Sequence, residues 1–512
     1  MNRQVDIKSW VKSWLAAPLS KWWCAFGWCT ATVLFVGIVA LLGGPSSLDS
    51  EESVYGTWAI AHGQMGCSYS AVSLPGYPPV APLYPLLSGA ISATVHIGHA
   101  VPFPSAATLG PGCNREFTAM DSWSVRSGAL GPTLWIGCIG WLALLVGIVA
   151  WLRASGRGRC GWEPATLVLV ACLPPVWMCI ENVFHPQDLM ALGLALCAMA
   201  CAHRGRWISA GILVALAVFT QQFALLVAAP LLVLAPAKRR IPYAVAALIT
   251  GCVITLPLLI VTAGRALRAV TIGTGNSPSV GGTVLWQLHL YGAQAVLLSR
   301  VTPILLSVAL SWWVLRRLGP GALRPVVVTS IVAVSLGLRL VFEQNLFPYY
   351  FMALAVLLVL LDAVRGSVRN STLAWLAAVV LVFCVSRGLA WKLPLHLETL
   401  IPLLIVAPAL LATLSRVLRG RNSRNLLPWL GVAACAVLTW PDRVDPLNLQ
   451  PLTWLWQMAL VVPGIMLAAG ALLADIGLAK SESPPRRLEA ISMVDEEPGH
   501  TRHIDVSPLP RP

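Results

Sequence analysis

Charged side chains are scarce in this chain. Only 11% of its 512 residues are Asp, Glu, Lys or Arg, and only 21 are acidic. A soluble domain carries about twice that share of charge to cover its surface, so the scarcity excludes an ordinary water-soluble protein. The rest of the composition agrees, because 57% of the residues are hydrophobic and the mean hydropathy is +0.75. This composition is typical of a polytopic membrane protein, whose solvent is the bilayer.

Several catalytic motifs are absent as well. The chain has no Walker GxxxxGK[ST], no GxGxxG followed by a suitable acid, no HExxH and no serine elbow, so nucleotide hydrolysis, metalloprotease and serine-hydrolase chemistry lack support. None of the 13 cysteines forms a CxxC pair, which leaves zinc and redox motifs unsupported. Cys67 and Cys113 fall in the one long polar loop, where they either form a disulfide or remain two thiols.

The apolar runs predict fourteen membrane segments. Segments four to six have 14 or 15 residues, which is short of the roughly 20 needed to span hydrocarbon. They are therefore expected to be tilted or to stop beneath a cavity. The predicted segments are 22–43, 129–152, 164–181, 188–202, 207–220, 222–235, 242–263, 296–315, 325–341, 348–364, 371–390, 397–415, 426–440 and 453–475.

The distribution of basic residues predicts the sidedness of these segments. The net charge is +14, but the bases fall in short loops between apolar runs, which argues against nucleic-acid binding. With the N-terminus inside, 26 of the 35 lysines and arginines lie on inner loops and tails, as the positive-inside rule expects. The prediction is a multi-pass protein of the bacterial plasma membrane with both termini cytoplasmic.

These boundaries define five regions. Residues 1–21 form a cytoplasmic N-terminus, 22–43 the first transmembrane helix, 44–128 an extracytoplasmic loop, 129–475 a transmembrane bundle and 476–512 a disordered cytoplasmic tail. Within the loop, the apolar stretch 80–101 contains Pro82 and Pro85. Counting it as a membrane span would move every later loop to the opposite side of the membrane and spoil the distribution of basic residues. It is predicted to be a surface or re-entrant helix.

Acidic residues cluster just after the first predicted span. Asp49, Glu51 and Glu52 lie within four positions of one another, and charge at the hydrocarbon boundary is costly unless water, a partner or a substrate solvates it. One interpretation is a catalytic or binding surface. The other is structural, because Asp49 and Glu52 have capping-box spacing and can begin a helix along the membrane surface.

Polar residues at two other predicted outer turns are further candidates. Glu181, His185 and Asp188 lie in one tight turn, which is either a solvated turn or a site for acceptor recognition, metal binding or proton transfer. Arg265 precedes a glycine-rich stretch whose backbone amides can approach a phosphate. Arg339 lies four residues before Glu343, which indicates either an ion pair or a guanidinium that holds a lipid-linked phosphate.

Several short motifs follow one another along the chain. They are Glu51 to Tyr55, Tyr77-Pro-Pro79, Phe184-His-Pro-Gln-Asp188, His203-Arg-Gly-Arg-Trp207, Ala210-Gly211, Thr220-Gln-Gln-Phe223 and Glu343 to Tyr350. In this order they resemble the polytopic glycosyltransferases of the C superfamily, in particular a bacterial mannosyltransferase-like branch. Glu51 to Tyr55 resembles the Asp-Glu-x-x-Tyr pattern of that superfamily's first outer loop, with Glu51 where the catalytic Asp usually stands. That branch often has Lys in place of Gln221 or Gln222.

The resemblance implies an all-α, GT-C-like helical bundle that transfers a sugar from a polyprenyl-phosphate donor to an envelope glycolipid or glycan. It implies no cofactor, leaves a divalent metal open, and makes donor, acceptor and membrane lipids the partners, with no nucleic acid. Its implied catalytic residues are Glu51, Asp49 and Asp188. Its implied substrate-binding residues are Glu52, Tyr55, His185, Gln222, Arg265, Arg339 and Tyr349.

Two alternatives remain open from the sequence. A flippase for lipid-linked sugars, or another transporter, would also have about fourteen segments and scattered intramembrane charge, but it would not need a long acidic first outer loop. A protein that has lost catalysis and acts as a scaffold for envelope assembly is the second alternative, because Glu51 replaces Asp and glutamine replaces Lys at motif positions.

Overall fold

The computed structural model describes residues 7–42, 57, 60–61, 63, 83–94, 132–158, 162–181, 184–261, 284–290, 292–343, 348–386 and 453–482. Most of these residues are helical, and no β-strand occurs among them. The helices are α1 Ile7–Leu42, α2 Leu83–Thr94, α3 Pro132–Ala154, α4 Trp162–Ala171, α5 Pro174–Glu181, α6 Pro186–His203, α7 Trp207–Thr220, α8 Leu225–Leu234, α9 Ala237–Val261, α10 Val284–Gln287, α11 Gly292–Leu318, α12 Pro325–Val341, α13 Phe351–Arg365, α14 Asn370–Ser386 and α15 Thr453–Glu482.

The described helices confirm a helical protein with several segments suited to a membrane. Five stretches are long and apolar enough to cross a bilayer, namely Cys24–Leu41, Gly137–Ala154, Ala237–Val261, Leu297–Leu323 and Leu460–Gly477. A sixth span results if α4 and α5 are counted together. Helices match twelve of the fourteen predicted segments, and the predicted segments 397–415 and 426–440 lie outside the described residues.

Three details differ from the predicted segments. The segment predicted at 164–181 bends by 59° between α4 and α5, where Pro174 and Pro175 remove backbone donors and favour a break. The first helix already begins at Ile7, and the last continues to Glu482. Helix α2 occupies 12 residues of the stretch 80–101, within which a surface or re-entrant helix was expected.

The core of the bundle consists of short helices that are apolar on every side. Every residue of α13 from Phe351 to Val364 is buried, as are most residues of α6 and α12. Helix α6 packs along α3 and α7, while α12 packs along α15 and α13. By contrast, α9 exposes large apolar side chains along much of its length, as expected of a helix that faces lipid.

Glycines allow α3 and α6 to lie in backbone contact. A Cβ added to Gly193 would lie 2.2 Å from the Ala143 carbonyl oxygen, and one added to Gly147 would lie 2.3 Å from the Gly193 carbonyl oxygen. Small residues at such positions are what membrane helices use to approach closely, because dispersion contacts rather than water drive their association.

Arginines join the turns that were predicted to face the cytoplasm. Arg157 donates to the carbonyl oxygens of Val364 and Arg365 at 3.1 and 3.2 Å, so the turn after α3 meets the turn after α13. His203 at the end of α6 contacts the Leu323 carbonyl oxygen at 3.2 Å. Arg324 lies 3.7 Å from the Asp475 carboxylate. These predicted inner turns therefore share one end of the bundle, called the arginine end below.

Candidate functional site

The opposite end of the bundle carries the polar turn that begins α6. Phe184 is fully buried and has a φ of 52°, a left-handed backbone conformation that is uncommon outside glycine and often found at functional sites. Pro186 occupies the first turn of α6, where its missing N–H costs nothing. Gly140 of α3 leaves room for this turn, because a Cβ there would lie 2.2 Å from the Pro186 carbonyl oxygen.

Asp188 lies in the first turn of α6, where the helix dipole favours a carboxylate. Its side chain is buried, and its Oδ1 accepts a hydrogen bond of 2.5 Å from Gln221 Nε2. Gln221 follows α7 in an extended conformation, and its Oε1 accepts from the backbone N–H of Gln222 at 3.1 Å. The break between α7 and the 3-10 turn Gln222–Ala224 thus brings the Gln221 amide to the carboxylate.

Arg300 of α11 extends this chain of hydrogen bonds. Its Nη1 donates to Gln222 Oε1, so that Asp188, Gln221, Gln222 and Arg300 form one connected series across α6, the 3-10 turn and α11. The Arg300 guanidinium also interacts electrostatically with Glu343 and Arg339. Two guanidinium groups from different helices therefore lie near one another at this end.

Arg339, near the end of α12, forms an ion pair with Glu343 at 3.1 Å. Its guanidinium lies 5.3 Å from the ring centroid of Phe223 and 4.9 Å from that of Tyr350, so aromatic faces help to stabilise the charge. The predicted ion pair with Glu343 is confirmed.

His185 and Tyr349 meet in this region. Their rings stack with centroids 4.5 Å apart and planes 18° apart, and Tyr349 contacts Tyr350 edge to face at 4.6 Å. The His185 Nδ1 lies 2.9 Å from Gln187 Nε2. The site predicted from the sequence is thus assembled in part, because His185, Asp188, Gln222, Arg339 and Tyr349 lie at the same end of the bundle. We call these five residues with Gln221, Arg300, Glu343 and Tyr350 the polar cluster.

The polar cluster lies below the ends of two flanking helices. Arg300 meets Gln222 eight residues after α11 begins, about 12 Å along that helix. On another side, Gly251 of α9 packs against the Phe219 ring, and α9 continues for ten more residues, or about 15 Å. Helices α7 and α8 have only 14 and 10 residues, about 21 and 15 Å, against about 30 Å of hydrocarbon. The turn between them is therefore recessed.

Part of the long polar loop packs at the same end as the polar cluster. Thr57 Oγ1 and Ser88 Oγ of α2 form a hydrogen bond of 2.6 Å. Tyr84 of α2 interacts electrostatically with Cys138, two residues before the Gly140 that meets Pro186. The predicted residues Asp49, Glu51, Glu52, Tyr55 and Arg265 lie outside the described residues.

Sequence reasoning missed Arg300, Gln221 and Tyr350 as site residues. Arg300 gave a usable signal, because a lone arginine inside an apolar run is by default a functional candidate in a membrane segment. Chemically, the polar cluster offers a buried carboxylate, two guanidinium groups and stacked aromatic rings. Among the described residues, no three His, Cys, Asp or Glu side chains form a group that could hold a metal ion.

No known family model matches the chain, and no curated protein matches it in sequence. The similarity to C-superfamily glycosyltransferases therefore remains a prediction based on the order of the short motifs.

Proposed function

We propose that the chain transfers a sugar, mannose or a similar hexose, from a polyprenyl-phosphate donor to an envelope glycolipid or glycan on the outer face of the bacterial plasma membrane. The donor requires a site that combines a place for phosphate with access for a long apolar chain. The acceptor requires a base close to the anomeric carbon.

The observation that carries the proposal is the recessed polar cluster between apolar helices. Arg300 and Arg339 converge there from α11 and α12, and both interact with Glu343. Guanidinium groups match phosphate oxygens in a bidentate manner. Above the recess, α9 exposes Val253, Leu256 and Ile260, an apolar surface suited to an isoprenoid chain.

The proposed reaction is a single displacement with inversion at the anomeric carbon. A carboxylate, Glu51 or Asp49 with Asp188 as the rival, accepts the proton of the acceptor hydroxyl while its oxygen forms the new bond to that carbon. The bond between the anomeric carbon and the phosphate oxygen breaks, and polyprenyl phosphate leaves with the electron pair. Arg300 and Arg339 stabilise the negative charge on the departing phosphate.

Neutral replacements of the two loop carboxylates test the assignment of the base. We expect one of the two variants, Glu51→Gln or Asp49→Asn, to transfer sugar roughly 10²- to 10⁴-fold more slowly than wild type. That factor is the usual contribution of a general base. Asp121→Asn is the matched control in the same stretch and should stay within about twofold of wild type. The measurement is product formation per folded protein, with folding checked by size-exclusion chromatography.

Full transfer in both loop variants would remove Glu51 and Asp49 from the mechanism and leave Asp188 as the base. An equal loss in Asp121→Asn would mean that neutralising any carboxylate of the loop is harmful, which would contradict a specific base.

A further inference from the structure

A second polar surface lies on α11, at the arginine end. Trp312 and Trp313 are 45% and 39% exposed. One turn later, the Arg316 guanidinium lies 4.9 Å from the Trp312 ring centroid, and that of Arg317 lies 6.0 Å from the Trp313 ring centroid. Ser311 and Val314 on the other side of the helix are fully buried. The two tryptophan and arginine pairs therefore belong to the outward face of α11.

Most arginines at this end that have a described role bind the protein itself. Arg157 and Arg240 donate to carbonyl oxygens at helix ends, and Arg369 binds the Asp362 carboxylate. Arg316 and Arg317 differ, because within the described part of the chain no hydrogen-bond acceptor is paired with either guanidinium. Their donors face outward from exposed side chains.

The same face carries apolar side chains toward the middle of the bundle. Leu305 and Leu306 are 62% and 41% exposed, and each lies seven residues before one of the tryptophans, so the residues form two stripes along α11. From the middle of α11 outward, each stripe runs from leucine through tryptophan to arginine over about 17 Å. That order matches a phospholipid in a bilayer, where the acyl chains would lie beside the leucines, the membrane interface at the tryptophans and the headgroup at the arginines.

We propose that this face, formed by Leu305, Leu306, Trp312, Trp313, Arg316 and Arg317, binds an anionic phospholipid with its phosphate between the two guanidinium groups. Two adjacent arginines that have no carboxylate partner among the described residues favour a lipid of net negative charge over a zwitterionic one. The tryptophan faces hold the guanidinium planes outward and shield one side of each charge. The proposal is independent of the proposed sugar transfer, since Arg316 and Arg317 follow Arg300 by at least 16 residues, or about 24 Å along α11.

The test measures lipid preference by native mass spectrometry. Full-length protein is equilibrated in micelles that contain equal amounts of phosphatidylglycerol and phosphatidylcholine with the same acyl chains. We expect wild type to retain phosphatidylglycerol preferentially, and Arg316→Gln with Arg317→Gln to lower this preference roughly tenfold or more, because each arginine near an anionic surface contributes several-fold. Trp312→Leu with Trp313→Leu, which keeps both charges, should lower it by a smaller factor.

The matched control is Arg204→Gln with Arg206→Gln. These arginines are also exposed at the arginine end and carry the same charge, so their removal should change the preference by less than about twofold. The proposal is overturned if wild type shows no preference, if the Arg316 and Arg317 variant keeps it, or if the control loses as much. Unchanged preference in the tryptophan variant would overturn the role of the rings.

Discussion

In an Asp188→Asn variant, sugar transfer is expected to fall by at least roughly 10²-fold while the protein remains folded. Asp188 is 3% exposed and accepts a hydrogen bond from Gln221, which is linked through Gln222 to Arg300. Asparagine keeps the shape but removes the negative charge, so the proton acceptor or the electrostatic balance of the two arginines is lost. The measurement is product formation per folded protein, together with the apparent affinity for the donor.

Asp475→Asn provides the matched control for this prediction. It is the same chemical change in an acid at the arginine end, where the Asp475 carboxylate lies 3.7 Å from Arg324. Its activity per folded protein should stay within about twofold of wild type. Wild-type activity in Asp188→Asn would show that this carboxylate is only a structural partner of Gln221.

Replacing Gly193 by leucine is expected to abolish the folded bundle. Even a single Cβ at this position would lie 2.2 Å from the Ala143 carbonyl oxygen and 2.4 Å from its carbonyl carbon. These are backbone atoms, which cannot move aside as a side chain can, so α3 and α6 must separate. Overpacking usually costs about 1–3 kcal/mol and more where the backbone is rigid, and here the loss spreads over the contact between two core helices.

Gly470→Leu on α15 is the control, because nothing lies within 4 Å of a Cβ added there. This variant should purify in wild-type yield, with unchanged or slightly higher thermal stability, since leucine favours a helix over glycine by several tenths of a kcal/mol or more. Yield of monodisperse protein and unfolding temperature are the measurements. A stable Gly193→Leu protein would contradict the close approach of α3 and α6.

Most helices could be predicted from the sequence because apolar runs and basic breaks are local properties. The bend after α4 was missed, although Pro174 and Pro175 mark it, because the run 164–181 has the length of a single span. The charge pattern groups the predicted inner turns together, and among the described residues the contact of Arg157 with the Val364 carbonyl brings two of these turns to one end. Which end faces the cytoplasm remains a prediction from the basic residues.

The candidate site was predictable only where a motif marked it. His185 and Asp188 share one short motif, but their contacts with Tyr349 and Gln221 depend on how distant helices pack. Arg300 belongs to no motif, and a single base near the end of a membrane segment usually extends to lipid headgroups. In the structure Arg300 lies eight residues inside α11 and binds Gln222. It can do so because α7 and α8 are short, so that the turn between them lies at the same depth in the bundle as Arg300.

The most direct test follows a labelled sugar on its donor. Purified wild-type protein is reconstituted in liposomes with polyprenyl-phosphate mannose, labelled in the mannose, and an extract of envelope glycolipids. The proposal predicts that the label moves to a glycolipid and that polyprenyl phosphate appears in equal amount. If the label remains on polyprenyl phosphate and the intact donor is found in the opposite leaflet, the chain is a flippase, and the proposed transfer is wrong.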